Sequence, residues 1–341
     1  MTNLTALRRP SRLAAHLRLA VPLVVVALVA TGCSTASGGD DTADAETGWS
    51  YTDDTGRTVE LDQRPERIAS YTDYALGMLS YDITPVALFG RFDVTSDQRF
   101  ADYDISDTTI VGNSYGEIDL EALAETAPDL IVTGIYPTDR EGTLDTEGPY
   151  YGLADAEQQA QLEKIAPVVA IEVGGAGSDV IDSVNTLAKA LGTSDETIAA
   201  AKDEYDAAAA DLTAAAAESD LEVTAMYADA DGVYVTKPAD EPETELYGTL
   251  GVDYTNLNPT GYYYWDIYSW ENVAAMMTGD VLLVNNEGFQ QADLEAQPTF
   301  ASHPALQAGQ VHEWTGAALD YASQAAHMTQ LADILRESEP V

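Results

Sequence analysis

The sequence predicts an α/β protein of two lobes with mainly parallel sheets, joined by one long backbone helix. Continuous β-branched runs, short helices between them, and a plan that occurs once in each half carry that reading. In the first half Arg67-Ile68-Ala69-Ser70, a helix around Tyr74 to Leu79, and Pro85-Val86-Ala87-Leu88-Phe89 read as strand, helix and strand, with Asp129 to Thr133 following. The second half offers Val223 to Tyr227, a helix near Glu245 to Leu250, Val252 to Tyr254, and Asp280 to Val284. Runs of this kind suit parallel strands covered on both faces. Each lobe is therefore expected to be Rossmann-like.

The repeated unit is Ile118-Asp119-Leu120-Glu121-Ala122-Leu123 in one half and Tyr268-Ser269-Trp270-Glu271-Asn272-Val273 in the other. Asp119 and Ser269 suit N-caps, and the apolar residue before each suits a hydrophobic staple. Both segments are expected to start helices, with Glu121 and Glu271 at the second helical position, where the helix dipole favours an acid. Between the halves, Thr193 and Glu196 form a candidate capping box. The alanine-rich stretch from Asp195 to Glu218 then predicts a helix of about 36 Å, long enough to run behind both lobes.

The N-terminus reads as an export signal. Arg8, Arg9, Arg12 and Arg18 precede the apolar run Leu19 to Ala30, which at about 18 Å is short of the ~30 Å of a bilayer core. Arg8-Arg9 leaves Sec and Tat export both open. Ala30-Thr31-Gly32-Cys33 resembles a bacterial lipobox, which implies cleavage before Cys33 and a lipid on that cysteine, the only one in the chain. The small, acidic stretch that follows cannot bury enough surface to fold. The expected organisation is a signal peptide over 1–32, a lipidated acidic linker over 33–50, an N-terminal lobe over 51–192, the connecting helix over 193–218 and a C-terminal lobe over 219–341. The protein is expected to work as a monomer, secreted and lipid-anchored to the outer face of the cell membrane.

The formal net charge of −43 argues against nucleic acid as a partner and against a direct affinity for anionic lipid headgroups. No histidine lies near a convincing Ser and Asp pair, and the expectation is a binding protein rather than an enzyme.

Thr55-Gly56-Arg57-Thr58-Val59-Glu60-Leu61, then Arg64-Pro65-Glu66-Arg67-Ile68, resembles the opening hairpin and first strand of the substrate-binding proteins of ABC importers for iron-siderophores, haem and vitamin B12. Pro85-Val86-Ala87, Asp119 to Leu123, Ala127 to Ile131 and Leu162 to Pro167 continue the likeness through essentially the whole mature chain. The resemblance implies a groove between the lobes, limited hinge closure, and an ABC permease as partner. It also implies that one glutamate on each lobe docks on permease arginines, which points to Glu121 and Glu271.

Ligands of open α/β sheets bind beyond the carboxyl ends of the strands. The segments there carry Tyr71, Tyr74, Arg91, Tyr115 and Tyr136 in the first half, and Tyr234, Tyr262-Tyr263-Tyr264-Trp265 and Trp314 in the second. Tyrosine and tryptophan give rigid contact area with a polar tip, which suits a bulky amphipathic ligand. The candidate contacts are Tyr71, Arg91, Tyr115, Tyr136, Trp265 and Trp314. Arg91 is the candidate donor to chelate oxygens, unless one of the many acids holds it. A triscatecholate calls for clustered cations that the sequence does not show, so the expected ligand is a ferric siderophore of hydroxamate type. Haem or cobalamin is the alternative, as is a lipoprotein that senses its ligand. His303, His312 and His327 have no metal-ligand spacing, and no resident cofactor is expected.

Overall fold

The computed structural model describes residues 48–316 and 318–341. The signal segment, the lipobox and Cys33 lie outside the described residues. A hairpin opens the fold, β1 (Trp49–Thr52) paired antiparallel with β2 (Thr58–Leu61). The folded chain thus starts earlier than the expected linker boundary at residue 50. Trp49 is buried in the core and its Nε1 donates to the Ala190 carbonyl at 2.7 Å, so it is held too firmly to be tether.

The N-terminal lobe follows as β3 (Ile68–Tyr71), α1 (Thr72–Leu79), β4 (Ala87–Phe89), β5 (Thr109–Gly112), α2 (Leu120–Glu125), β6 (Leu130–Ile135), α3 (Ala156–Ile165), β7 (Val168–Glu172) and α4 (Gly177–Ala190). Its sheet has the order β5-β4-β3-β6-β7 and every pair is parallel. Leu130, Ile131 and Val132 are 0 % exposed, which explains the unbroken apolar run. Burying each such side chain contributes about 1.5–3 kcal/mol. Strand order reverses at β3, so a crevice opens beside its carboxyl end.

The helix α5 (Asp195–Glu218) leads to the second lobe. Its N-cap is Ser194, whose Oγ accepts from the Thr197 N–H at 3.1 Å. The cap thus falls one residue after the expected Thr193, and as a single N-cap bond rather than a capping box with Glu196. The second lobe comprises β8 (Glu222–Ala228), β9 (Gly232–Thr236), α6 (Pro242–Thr249), β10 (Asp253–Tyr254), β11 (Trp265–Ser269), β12 (Val281–Asn285), α7 (Gln291–Glu295), α8 (Pro304–Ala308), β13 (Val311–Trp314) and α9 (Tyr321–Glu337). Its sheet runs β11-β9-β8-β12-β13, with β10 also on β8. β8, β10, β12 and β13 pair in parallel, whereas β9 is antiparallel to both of its neighbours, β8 and β11.

The last helix does not stay with the second lobe, as the expected boundary of 219–341 implies. Gly316 accepts from Arg99 Nη1 at 3.1 Å and Ala318 packs with Leu76, Val94 and Phe100 of the first lobe. From there α9 runs beside α5 in the same direction, with Tyr321 against Tyr205 and Arg336 paired to Asp211. Both helices contribute to one apolar core that reaches into each lobe.

The repeated unit differs between halves. Asp119 caps α2 as expected, Oδ1 accepting from Glu121 N–H at 3.1 Å and Ala122 N–H at 3.0 Å. Ser269 caps no helix. It ends β11 opposite Gly232, and its carbonyl accepts from the Asn272 N–H at 2.8 Å, closing a turn before a short 3-10 helix, Val273–Met276. Glu271 therefore sits in a turn, though both glutamates are exposed.

Candidate ligand-binding cleft

A cleft of 810 Å³ lies between the lobes, within the range of pockets that enclose a small-molecule ligand. On the first-lobe side its walls come from the carboxyl ends of the strands: Asp73 after β3, Arg91 after β4, Tyr136 and Pro137 after β6, and Val173 after β7. Four of the six expected contacts line it, namely Arg91, Tyr136, Trp265 and Trp314.

Tyr71 does not line it. The residue is 0 % exposed, wedged behind the wall against Phe89, Tyr74 and Tyr151. Gly152, at φ +86°, passes so close that a Cβ would collide with the Tyr71 ring. The sequence rule located the strand end correctly but not the side of the sheet to which the ring turns. Tyr115 is half exposed outside the lining, edge-on to Tyr151 with centroids 5.4 Å apart. Tyr151 is the centre of this aromatic wall, with Tyr136 at 4.6 Å and Tyr71 at 5.3 Å. It arrives on a loop whose N–H donates to the Gly134 carbonyl at 2.8 Å. No strand-end argument finds it.

Arg91 is held by acids, the alternative left open by the sequence. Its Nη1 meets Asp73 at 2.6 Å and its Nη2 meets Glu287, from the second lobe, at 2.5 Å. Asp73 also takes Arg99 Nη1 at 2.7 Å, and Arg99 pairs in turn with Asp97. Burial alone would raise the Asp73 carboxyl, but the two guanidiniums override it and hold the group below the usual carboxylate range. Both cations lining the cleft are thus spoken for. Asp73 and Glu287 stand just after β3 and β12, where the strand-end rule finds them if acids are read as well as aromatics.

The second-lobe wall is built differently. The antiparallel β8, β9 and β11 place Tyr227, Tyr234 and Trp265 side by side, with successive ring centroids 5.5 and 6.3 Å apart. Beneath lie Glu241 and Glu243 at the start of α6. Burial, with Glu243 adding to it, pushes the Glu241 carboxyl up to about 7. Glu243 Oε1 lies 3.1 Å from His327 Nδ1, and the His327 ring meets Trp314 edge-on at 4.8 Å. Among the described residues no cluster of His, Cys, Asp and Glu forms a metal site, and no helix is long and apolar enough to cross a membrane.

In solved structures the same architecture recurs. The ferric-siderophore receptor protein DesE from Streptomyces coelicolor is 28 % identical, with a TM-score of 0.75 over 86 % of this chain and 99 % of that one. Staphylococcus aureus SirA, complexed with staphyloferrin B, is 20 % identical with a TM-score of 0.60 over 85 % and 99 %. The triscatecholate siderophore binding protein FeuA from Bacillus subtilis, complexed with ferri-bacillibactin, is 16 % identical with a TM-score of 0.63 over 84 % and 98 %. No curated protein matches by sequence. The periplasmic binding protein profile matches residues 72–318, most of the described chain, and the protein belongs to that family.

Proposed function

We propose that the protein captures a ferric siderophore of hydroxamate type outside the cytoplasm and delivers it to an ABC permease. The observation that carries this reading is the cleft itself: an aromatic groove between two lobes in which both lining arginines are already neutralised by Asp73, Asp97 and Glu287. A triscatecholate brings several negative charges and would face Glu241, Glu243 and Asp229 with no free lining cation to meet them. A neutral or cationic hydroxamate chelate meets no such repulsion. The likeness to a ferric-siderophore receptor supports the iron-chelate class, while relatives with chemically different ligands leave the choice to the site. Arg91, Tyr136, Trp265 and Trp314 are the proposed contacts, with Tyr71 supporting Arg91 from behind and Tyr115 at the rim. Titrating tryptophan fluorescence with a ferric linear trihydroxamate, a ferric triscatecholate, haem and cobalamin tests the assignment. Quenching by the trihydroxamate is expected, and binding of haem or cobalamin alone rejects it.

Two further roles complete the reading. Cys33 carries the lipid anchor, so Cys33→Ala should leave the membrane fraction; equal recovery there would remove the anchor from the proposal. Glu121 and Glu271 dock the permease. The double reversal to Arg should spare folding and ligand affinity yet abolish ligand-stimulated ATP hydrolysis, since like charges across an interface cost several kcal/mol. Normal transport by that variant would leave both glutamates without a docking role.

A further inference from the structure

Tyr264 is a bulky residue at φ +71°, in the left-handed region that side chains larger than Asn rarely enter. Such a conformation persists only where the surroundings over-determine it, and it concentrates at functional sites. Here the Tyr264 N–H donates to Asp240 Oδ2 at 3.1 Å and its carbonyl accepts from the Lys237 N–H at 2.9 Å. The Tyr264 ring lines the cleft, with its centroid 5.0 Å from that of Trp265.

Asp240 is in turn gripped from the other lobe. Arg140 Nε donates to Asp240 Oδ1 at 2.6 Å, Nη2 bonds Oδ2, and Nη2 also reaches the Tyr262 carbonyl at 3.3 Å. The Asp240 side chain is 1 % exposed. Burial acting alone would raise its carboxyl, but the bonds from Arg140 and Tyr264 hold it below the ordinary range. Arg140 is itself pre-set: Asp139 Oδ1 accepts from the Glu141 and Thr143 N–H groups at 3.1 and 3.0 Å, closing a tight loop beyond β6. A bidentate guanidinium fixes the orientation of its carboxylate, which a point charge does not.

We propose that Arg140, acting through Asp240, positions the Tyr264 ring in the cleft, so that an arginine of one lobe sets how the other presents its aromatic wall to the ligand. Arg140 is a positioning residue that need not touch the ligand, and Tyr264 is a contact. The proposal rests on the cleft being the chelate site.

The test is a double-mutant cycle in the mature chain with Arg140→Gln and Tyr264→Asn, Asn being a residue that tolerates the left-handed conformation. The ferric linear trihydroxamate should bind about tenfold more weakly to each single variant, and the double variant should be no weaker than Tyr264→Asn alone. Arg140→Lys, which keeps the charge but loses the fork, should fall between wild type and Arg140→Gln. Near-UV circular dichroism of the ligand-free proteins provides a second readout, since Arg140→Gln should change the tyrosine and tryptophan bands only where Tyr264 is present. Losses that multiply in the double variant, or an Arg140→Gln protein with wild-type affinity and spectrum, overturn the proposal. If wild type binds no chelate at all, the function reading fails and the ligand-free spectra still decide the relay.

Discussion

The two walls of the cleft come from sheets of similar order but opposite electrostatic design. On the first lobe Asp73 is surrounded by cations, Arg91 and Arg99, and its charged form is favoured. On the second, Glu241 is half-buried beside Glu243, and that partial burial with its acidic neighbour disfavours the charged form. The first wall is neutralised by ion pairs, while the second keeps an acid whose charge depends on pH. Burial is common to both, so the difference lies in whether a cation was placed beside the carboxylate.

The largest expected effect that tests this contrast is on stability. Asp73→Ala removes the shared counter-ion of two partly buried guanidiniums and should destabilise the fold by about 3–5 kcal/mol in denaturant unfolding. A loss within the range of an ordinary surface ion pair, about 0–1 kcal/mol, would show that solvent already screens the network.

Affinity comes next. Trp265→Ala should cost about 1–3 kcal/mol of chelate binding if the indole is an anchor of the second wall. Tyr71→Phe should cost less than about 1 kcal/mol, because it loses only a long hydrogen bond behind Arg91. The reverse ranking would place the ligand against the first wall alone.

The smallest effect separates the walls by the sign of their pH response. Asp73 has a folded-state pKa below its unfolded value, so its contribution is present above the unfolded pKa and is lost as pH falls through the folded one. Glu241 has a raised folded-state pKa, so the folded state is favoured most below the unfolded value, and that advantage is lost as pH rises through about 7. Glu241→Gln should therefore stabilise the protein at pH 8 by on the order of 1 kcal/mol and have little effect at pH 5. A gain of equal size at both values would assign the effect to capping of α6 rather than to charge.

The same contrast explains how much could be read in advance. The strand runs, α5 and the first-lobe site residues Arg91 and Tyr136 were legible because a wholly parallel sheet sends each strand's carboxyl end to one rim. In the second sheet β9 is reversed against its neighbours, and the cleft is lined by Tyr234 and Ile267 from mid-strand, by Trp265 from the first residue of β11 and by Tyr227 from near the end of β8. Trp265 and Trp314 were legible as aromatics next to strands, whereas Glu241, Glu243 and the grip of Arg140 on Asp240 depend on which loops meet in space. Ser269 misled because its sequence surroundings match those of Asp119, while pairing of β11 with β9 claims its backbone first.

The side-by-side course of α5 and α9 has a mechanical consequence. One strap between two bodies leaves them free to swivel, whereas two adjacent straps bend across their width and resist rotation about their length. The Tyr205–Tyr321 contact and the Arg336–Asp211 ion pair fasten the two ends of α9 to the middle of α5. Flexing about one axis is thereby the motion that the pair of helices resists least. Arg91 and Arg140 span the gap, so any widening of the cleft must stretch or break their pairs with Glu287 and Asp240.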